Sequence, residues 1–318
     1  MRVIFSFFIM VLFQSLLFSA VLEKKRILYI DSYHLNYGAS EDIITTFINT
    51  LNKSKINYDL KIIRMDTKRN KSEAFKQNAA IKAKKVIEIY KPDLVIAAED
   101  NASKYLIVPY YKNSKVPFLF IGVNESVKEY GFPYENVTGQ VEVTLIKPLI
   151  SLLKQYSKGS RIAYLNDNTL TSKKTSLSFE KKLGVKIQKH FINSKQEWKD
   201  AFLELQETSD ILLLGLNTFS NTKKNKDIGA FVLKNTKIIT ASWDKGNIEI
   251  SLIVYSKNPK EYGEWAGKQA IKILNGKKLS LIKISENKKG KVYINARIMK
   301  KLKILFPFEI LDNSIIIK

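Results

Sequence analysis

The chain has 318 residues, of which 45% are hydrophobic and 26% charged, with no cysteine and two histidines. This composition is typical of a globular protein with enough apolar residues for two cores. The lack of cysteine excludes disulfide scaffolds, thiolate metal sites and cysteine nucleophiles. Lys and Arg number 53 against 30 Asp and Glu, a formal net charge of +23, which taken alone favours nucleic acid or an anionic membrane as a partner.

The N-terminal segment predicts export from the cytoplasm. Arg2 is followed by an apolar run over 3–18 and by the small residues Ser19 and Ala20, so residues 1–20 are predicted to be a secretory signal peptide. An uncleaved membrane anchor is the alternative, because 3–22 is about long enough to span a bilayer. In both cases the remaining chain lies outside the cytoplasm, which removes nucleic acid as a partner.

After this segment, short apolar runs alternate with segments of helical periodicity, a pattern typical of a parallel sheet with crossover helices. Ser72 is placed to cap a long helix that ends before Pro92. The predicted elements of the first half are strands 26–30, 60–65, 94–98 and 118–122, and helices 40–51, 72–90 and 102–111.

The alternation then restarts. Ser194 and Glu197 form a capping box at the start of one helix, and the last strong helix begins at a proline and ends at Asn275-Gly276. The predicted elements are strands 161–165, 185–191, 211–214 and 238–241, and helices 146–156, 172–183, 194–205 and 259–274. Two such units without a Pro- or Gly-rich linker indicate two similar lobes, with the first chain crossing expected at 136–139.

Polar and aromatic residues follow six of the predicted strands. Open parallel sheets bind ligands beyond the carboxyl ends of their strands, so these residues are candidates for ligand contact. Capping and turn formation are the alternative for each Asn and Asp, and Asp31 is the one most expected to be structural. The candidates are Ser32, Tyr33, His34, Tyr37, Asp100, Asn101, Asn124, Glu125, Asn166, Asp167, Asn217, Trp243 and Asp244.

Enzyme motifs are missing from the sequence. It contains no G-x-S-x-G, P-loop, G-x-G-x-x-G or H-E-x-x-H motif, and its two histidines fall in different units. We therefore expect no catalytic residue, no cofactor and no metal site.

Several segments, taken in order, resemble one protein family. They are 27–34 (ILYIDSYH), 40–44 (SEDII), 93–102 (DLVIAAEDNA), 117–124 (PFLFIGVN), 136–139 (NVTG) and the closing stretches 263–276 and 292–307. Together they resemble the ABC transporter substrate-binding proteins of the periplasmic-binding-protein type I fold. Similar domains form the extracellular sensor portions of some bacterial histidine kinases.

The resemblance implies an α/β protein of two Rossmann-like lobes with parallel sheets, hinged by three crossings and closing over a small molecule. The expected lobes are 24–138 with 256–279, and 139–255 with 280–318. The thirteen candidate residues above are the positions that the resemblance implies for ligand contact. Family members that bind aromatic amino acids have small hydroxyl residues at some of these positions, whereas this sequence has Glu99, Asp100 and Glu125.

Two functions follow from this resemblance. The first is a periplasmic solute-binding protein, expected to be a monomer, that delivers a small organic ligand to an ABC importer. Carboxylates beside aromatic residues favour a ligand with an ammonium group and an apolar body. The alternative is a sensory module that acts with a membrane histidine kinase in trans.

Overall fold

The computed structural model describes residues 24–215, 219 and 226–318. The predicted signal peptide, 1–20, and the candidate Asn217 lie outside the described residues. Within the part of the chain that is described, no helix has both the length and the apolar character needed to cross a membrane.

The described residues form thirteen strands in two sheets. They are β1 (Lys25–Asp31), β2 (Tyr58–Arg64), β3 (Leu94–Ala98), β4 (Phe118–Asn124), β5 (Val137–Glu142), β6 (Ile162–Asp167), β7 (Gln188–Ile192), β8 (Ile211–Leu214), β9 (Ile239–Ser242), β10 (Ile253–Lys257), β11 (Ser285–Glu286), β12 (Gly290–Asn295) and β13 (Ser314–Ile317).

Helices connect most of these strands. They are α1 (Gly38–Asn52), α2 (Glu73–Tyr90), α3 (Glu99–Ala102), α4 (Val108–Tyr110), α5 (Ile146–Leu153), α6 (Leu170–Leu183), α7 (Lys195–Thr208), α8 (Lys226–Asn235), α9 (Pro259–Leu274), α10 (Ala296–Leu302) and α11 (Phe308–Asp312). A π-helical turn, Ser103–Ile107, joins α3 to α4, and 3₁₀ turns cover Lys128–Tyr130, Lys245–Ile250 and Leu279–Leu281.

The chain folds into two compact units. The first contains the residues up to Val143 and Pro259–Asn287, and the second contains Thr144–Asn258 and Lys288–Lys318. These limits differ from the expected lobe boundaries near 138, 255 and 279. Residues 137–142 form a strand of the first sheet, and β11 pairs with that strand, so both segments belong to the first unit.

The first sheet has the strand order β11-β5-β4-β3-β1-β2, and all of its pairings are parallel. Its central strands are continuous apolar runs because helices cover both faces of such a sheet. On one face α1 and α9 pack closely, since an added Cβ on Gly263 would lie 2.2 Å from the carbonyl oxygen of Ile43. Phe47 and Tyr262 are buried in the core beneath these helices.

The second sheet has the order β13-β12-β10-β9-β8-β6-β7, and only the β10–β12 pairing is antiparallel. Its core includes the stacked rings of Trp198 and Phe202 on α7, whose centroids lie 5.3 Å apart. The predicted cap of this helix is confirmed, because Ser194 accepts a hydrogen bond from the N–H of Glu197. The carboxylate of Glu197 accepts from the N–H of Asn193.

The predicted fold class, α/β with two mostly parallel sheets, is confirmed. The cap at Ser72 is also confirmed by its bond from the N–H of Phe75. The crossing expected at 136–139 is wrong, because this segment leads into and begins β5, and the chain leaves the first unit after Val143. The sequence analysis also missed β10, β12 and β13, whose short apolar runs carry no distinct periodicity.

Candidate ligand-binding site

The loop after β1 is anchored by Ser32, which is fully buried. Its hydroxyl donates to the carbonyl oxygen of Ala98 at 2.6 Å and accepts from the N–H of Ala102 at 2.9 Å. Its carbonyl oxygen accepts from the hydroxyl of Thr67 at 2.6 Å, and the side-chain amide of Asn101 donates to that same hydroxyl at 2.8 Å. Ser32 and Asn101 therefore hold together the ends of β1, β2 and β3.

Three predicted site residues of this loop form an aromatic cluster. The ring centroids of Tyr33 and Tyr37 lie 4.8 Å apart, and those of His34 and Tyr37 lie 5.6 Å apart, both in edge-on geometry. The ammonium nitrogen of Lys68 lies 4.7 Å from the centroid of Tyr33, within the range of a cation–π contact. The cluster thus combines apolar ring surface with one positive charge.

Glu99 lies at the other end of the Tyr33 side chain. The Tyr33 hydroxyl donates to the Glu99 carboxylate at 3.2 Å. Burial and the nearby Glu99 carboxylate raise the pKa of Tyr33 far above its ordinary value, so the phenol stays protonated and remains a donor. Glu99 is itself 8% exposed. The Tyr33 side chain therefore has a negative carboxylate at its hydroxyl and the Lys68 cation over its ring.

Further carboxylates lie near Tyr262 in the first unit. Burial raises the pKa of Tyr262, on α9, far above its ordinary value. Three carboxylates add to this rise, those of Glu142, Glu261 and Glu99. The three carboxylates therefore lie close enough to the Tyr262 hydroxyl to disfavour its ionisation.

Asp100 and Asn124 are held together at the ends of β3 and β4. The Asp100 carboxylate accepts hydrogen bonds from the side-chain amide of Asn124 and, at 2.8 Å, from the hydroxyl of Tyr130. Glu125 follows with a φ of 57°, and its N–H donates to the carbonyl oxygen of Glu142 at 2.8 Å. Asn124 and Glu125 are exposed, so both side chains are accessible to a ligand.

In the second unit, Asn166 and Asp167 end β6. The Asn166 side-chain amide donates to the hydroxyl of Tyr164 at 3.0 Å, and Asn166 is buried. The Asp167 carboxylate accepts from the hydroxyls of Thr169 and Ser172 in the first turn of α6. Thr169 is the N-cap of this helix, and Asp167 holds the hydroxyls of the cap and of Ser172, so its carboxylate has structural partners.

Trp243 follows β9 and packs on the aromatic core of the second unit. Its ring is stacked on Tyr164, with centroids 5.9 Å apart and planes at 10°, and meets Phe179 edge-on at 4.9 Å. Burial raises the pKa of Tyr164 to about 12. Asp244 accepts a hydrogen bond from the N–H of Gly246 at 2.8 Å and so caps the following 3₁₀ turn. Both residues therefore have structural partners, and Trp243 is half-buried.

Three residues of this region were missed by the sequence analysis, Thr67, Lys68 and Tyr130, and Glu99 was noted there without being taken as a candidate for ligand contact. Thr67 and Lys68 follow β2, and the rule used for the other strand ends would have found them. Among the described residues, no group of three or more His, Asp or Glu side chains is arranged to hold a metal ion.

Most of the residues described above follow the carboxyl ends of strands, where open parallel sheets bind ligands. The model of the family described as ABC transporter substrate binding protein matches residues 38–316. The chain belongs to the ABC transporter substrate-binding protein family. A small-molecule ligand and a transporter partner are therefore expected of it, and the family acts outside the cytoplasm.

Solved structures of substrate-binding proteins share its fold. CD0873 from Clostridium difficile, a substrate-binding protein with adhesive properties in its ligand-free, open form, has a TM-score of 0.73 at 20% identity, covering 92% of this chain and 99% of that one. An ABC domain from Streptococcus pneumonia in complex with L-Trp has a TM-score of 0.58 at 15% identity, covering 93% and 100%. A search of curated proteins gave no match.

Proposed function

We propose that this substrate-binding protein captures a small amino-acid-like or amine ligand and delivers it to an ABC importer. It is proposed to act in the periplasm, after export directed by residues 1–20, and without chemical conversion of the ligand. The similar domain solved with L-Trp supports an amino acid as the first ligand to examine.

The proposed class of ligand rests on one observation, which is that opposite charges lie on either side of Tyr33. The Glu99 carboxylate accepts from the Tyr33 hydroxyl, and the Lys68 ammonium lies 4.7 Å from the centre of the same ring. A zwitterionic ligand with an apolar side chain would pair its ammonium with Glu99 and its carboxylate with Lys68, and place its apolar part on the rings of Tyr33 and Tyr37.

A thermal-shift panel tests this proposal. The panel contains amino acids, amines, carboxylates and neutral or phosphorylated sugars, measured on the same preparation. Ligands that bind the folded protein raise its melting temperature, and the rise grows with the logarithm of the ratio of ligand concentration to Kd. Stabilisation by amino acids or amines supports the proposal, and stabilisation only by anionic sugars or phosphates contradicts the ammonium-bearing ligand.

The importer role is tested separately. Capture from solubilised membranes with the ligand-loaded protein as bait is expected to recover a transporter permease. Recovery of a sensor histidine kinase instead would assign the protein to the sensory alternative, without changing the ligand-binding proposal.

A further inference from the structure

The last segment of the second unit, 288–318, is rich in basic residues. It contains eight Lys or Arg and two Asp or Glu. Its helix α10 is fixed at the start by Asn295, whose side-chain oxygen accepts from the N–H groups of Arg297 and Ile298. Ile298 is buried, whereas Arg297, Lys300 and Lys301 are exposed. The helix therefore turns one apolar side inwards and one basic side to solvent.

Two large apolar side chains are exposed in the segment that follows this helix. Leu305 is 89% exposed and Phe308 is 75% exposed. Between them Phe306 is buried, with its ring centroid 4.7 Å from that of Tyr156. Because Phe306 anchors the loop in the core, the exposure of Leu305 and Phe308 is a feature of a packed loop. Arg297, Lys300, Lys301, Lys303, Leu305 and Phe308 are called the tail patch below.

The cations of the tail patch have no acidic partner among the described residues. The structure shows no ion pair from Arg297, Lys300, Lys301 or Lys303 to a carboxylate there, and Lys303 is also exposed. The acids closest in sequence, Glu309 and Asp312, lie on α11 and are outnumbered. Isolated exposed apolar residues are ordinary, but two of them in a segment that also carries four cations without acidic partners fit the interface of an anionic bilayer.

We propose that the tail patch docks on an anionic phospholipid bilayer. Lipid phosphates would pair with the cations, and Leu305 and Phe308 would enter the boundary between headgroups and acyl chains. A second copy of the chain fits less well, because pairing two tail patches would bring like charges together. The docking uses the second unit alone and does not depend on which ligand the protein binds.

Vesicle sedimentation tests the proposal with the purified full chain. Phosphatidylcholine vesicles with and without phosphatidylglycerol are compared at low and high salt. The apolar N-terminal segment is present in all variants and contributes equally to their binding. The proposal is therefore judged from differences in vesicle binding between variants and between lipids. The original protein is expected to bind the anionic vesicles more tightly, and high salt should weaken this binding.

Variants separate the patch from the general charge of the protein. Lys300→Gln with Lys301→Gln should lower the partition coefficient on anionic vesicles by about thirtyfold, because one lysine near such a surface changes binding about fivefold. Leu305→Ser with Phe308→Ser should lower it by about tenfold through the loss of buried apolar area.

The matched controls lie in the first unit. Lys53→Gln with Lys55→Gln removes two exposed lysines, and Ile89→Ser with Leu281→Ser removes two exposed apolar residues. Each control should leave binding within about twofold, and circular dichroism should show that all variants are folded. Equal losses in patch and control variants, or binding that is independent of phosphatidylglycerol, would overturn the proposal. Patch-dependent binding to polyglutamate with no binding to vesicles would also overturn it and indicate an acidic protein partner.

Discussion

At the scale of single residues, Glu99 has a backbone conformation that few residues other than glycine adopt, with a φ of 73°. This conformation lies directly after β3, where the carboxylate meets the Tyr33 hydroxyl, and Gly122 leaves it room, since an added Cβ would lie 3.0 Å from the carboxylate oxygen. Strained residues of this kind concentrate at functional sites. The sequence shows that two acids follow β3, but not the φ that directs the Glu99 side chain, so Asp100 was a predicted contact residue and Glu99 was not.

Glu99→Gln tests the proposed charge requirement. The amide keeps the shape of the side chain and removes its charge, so we expect the affinity for an ammonium-bearing ligand to fall about thirtyfold, the loss of about 2 kcal/mol from a charged hydrogen bond. Isothermal titration calorimetry measures the affinity, and the exposed Glu135→Gln variant is the control. Unchanged affinity in Glu99→Gln would show that the carboxylate does not contact the ligand.

Lys68→Gln separates the two charges of a zwitterionic ligand. Because Lys68 is exposed, we expect a loss of about 1 kcal/mol, or about fivefold, for an amino acid. The affinity for the corresponding amine, which lacks the carboxylate, should not change. An equal loss for both ligands in competition titrations would indicate that Lys68 acts through the Tyr33 ring instead of the carboxylate.

Trp243→Ala tests a residue that the sequence analysis assigned to the ligand. The ring is stacked on Tyr164 and meets Phe179, so its removal should lower the free energy of unfolding of the unliganded protein by about 2 to 3 kcal/mol. Urea denaturation measures this change. Trp243→Phe, which keeps an aromatic ring, should lose less than about 1.5 kcal/mol. If Trp243→Ala unfolds at the original urea concentration, the packing is unimportant and the ligand-contact role is favoured.

At the scale of elements, the sequence predicted the central strands and long helices because their patterns are local. Apolar runs such as Leu94–Ala98 and caps such as Ser72 depend on neighbouring residues only. Edge strands such as β11 and β13 were not predicted, because their short segments become strands only by pairing with β5 and β12. The same limit applies to the site: strand ends were predictable, whereas the bonds through Thr67 and the contact of Tyr130 with Asp100 are not visible in one sequence.

Gly263→Ala tests the close approach of α9 to α1. The added methyl group would lie 2.2 Å from the carbonyl oxygen of Ile43 and 2.9 Å from the backbone nitrogen of Phe47. Both contacts are with backbone, which cannot turn away, so we expect the free energy of unfolding to fall by about 2 kcal/mol. Gly38→Ala is the control, because nothing lies within 4 Å of its added methyl group. It should be neutral or stabilising by up to ~1 kcal/mol. Similar melting temperatures for the two variants would contradict the tight packing.

At the scale of the whole molecule, the positions of the charged residues are more informative than the net charge of +23. The family acts outside the cytoplasm, and the carboxylates of Glu99, Glu142 and Glu261 lie near Tyr262 in the first unit. The tail, 288–318, carries eight basic and two acidic residues. The two proposals give these charges different roles: the Glu99 carboxylate pairs with the ligand, and the cations of the tail patch pair with an anionic bilayer.

The predicted signal peptide is tested by the mass of the exported protein. Cleavage after Ala20 should give a mature chain that begins at Val21, recovered in the periplasmic fraction. Intact mass spectrometry measures the N-terminus directly. An unprocessed chain that stays with the membrane would favour the uncleaved anchor.

The central claim is that the protein binds a ligand through an ammonium group and an apolar body. Calorimetric titration of the unliganded protein with L-tryptophan, tryptamine and indole-3-propionate tests this directly. The three compounds share one ring system and differ in their charges, so differences in affinity report the contribution of the ammonium group. We predict that the two compounds with an ammonium group bind, with L-tryptophan the tighter, and that indole-3-propionate does not. Binding of indole-3-propionate as tight as that of L-tryptophan would contradict the account.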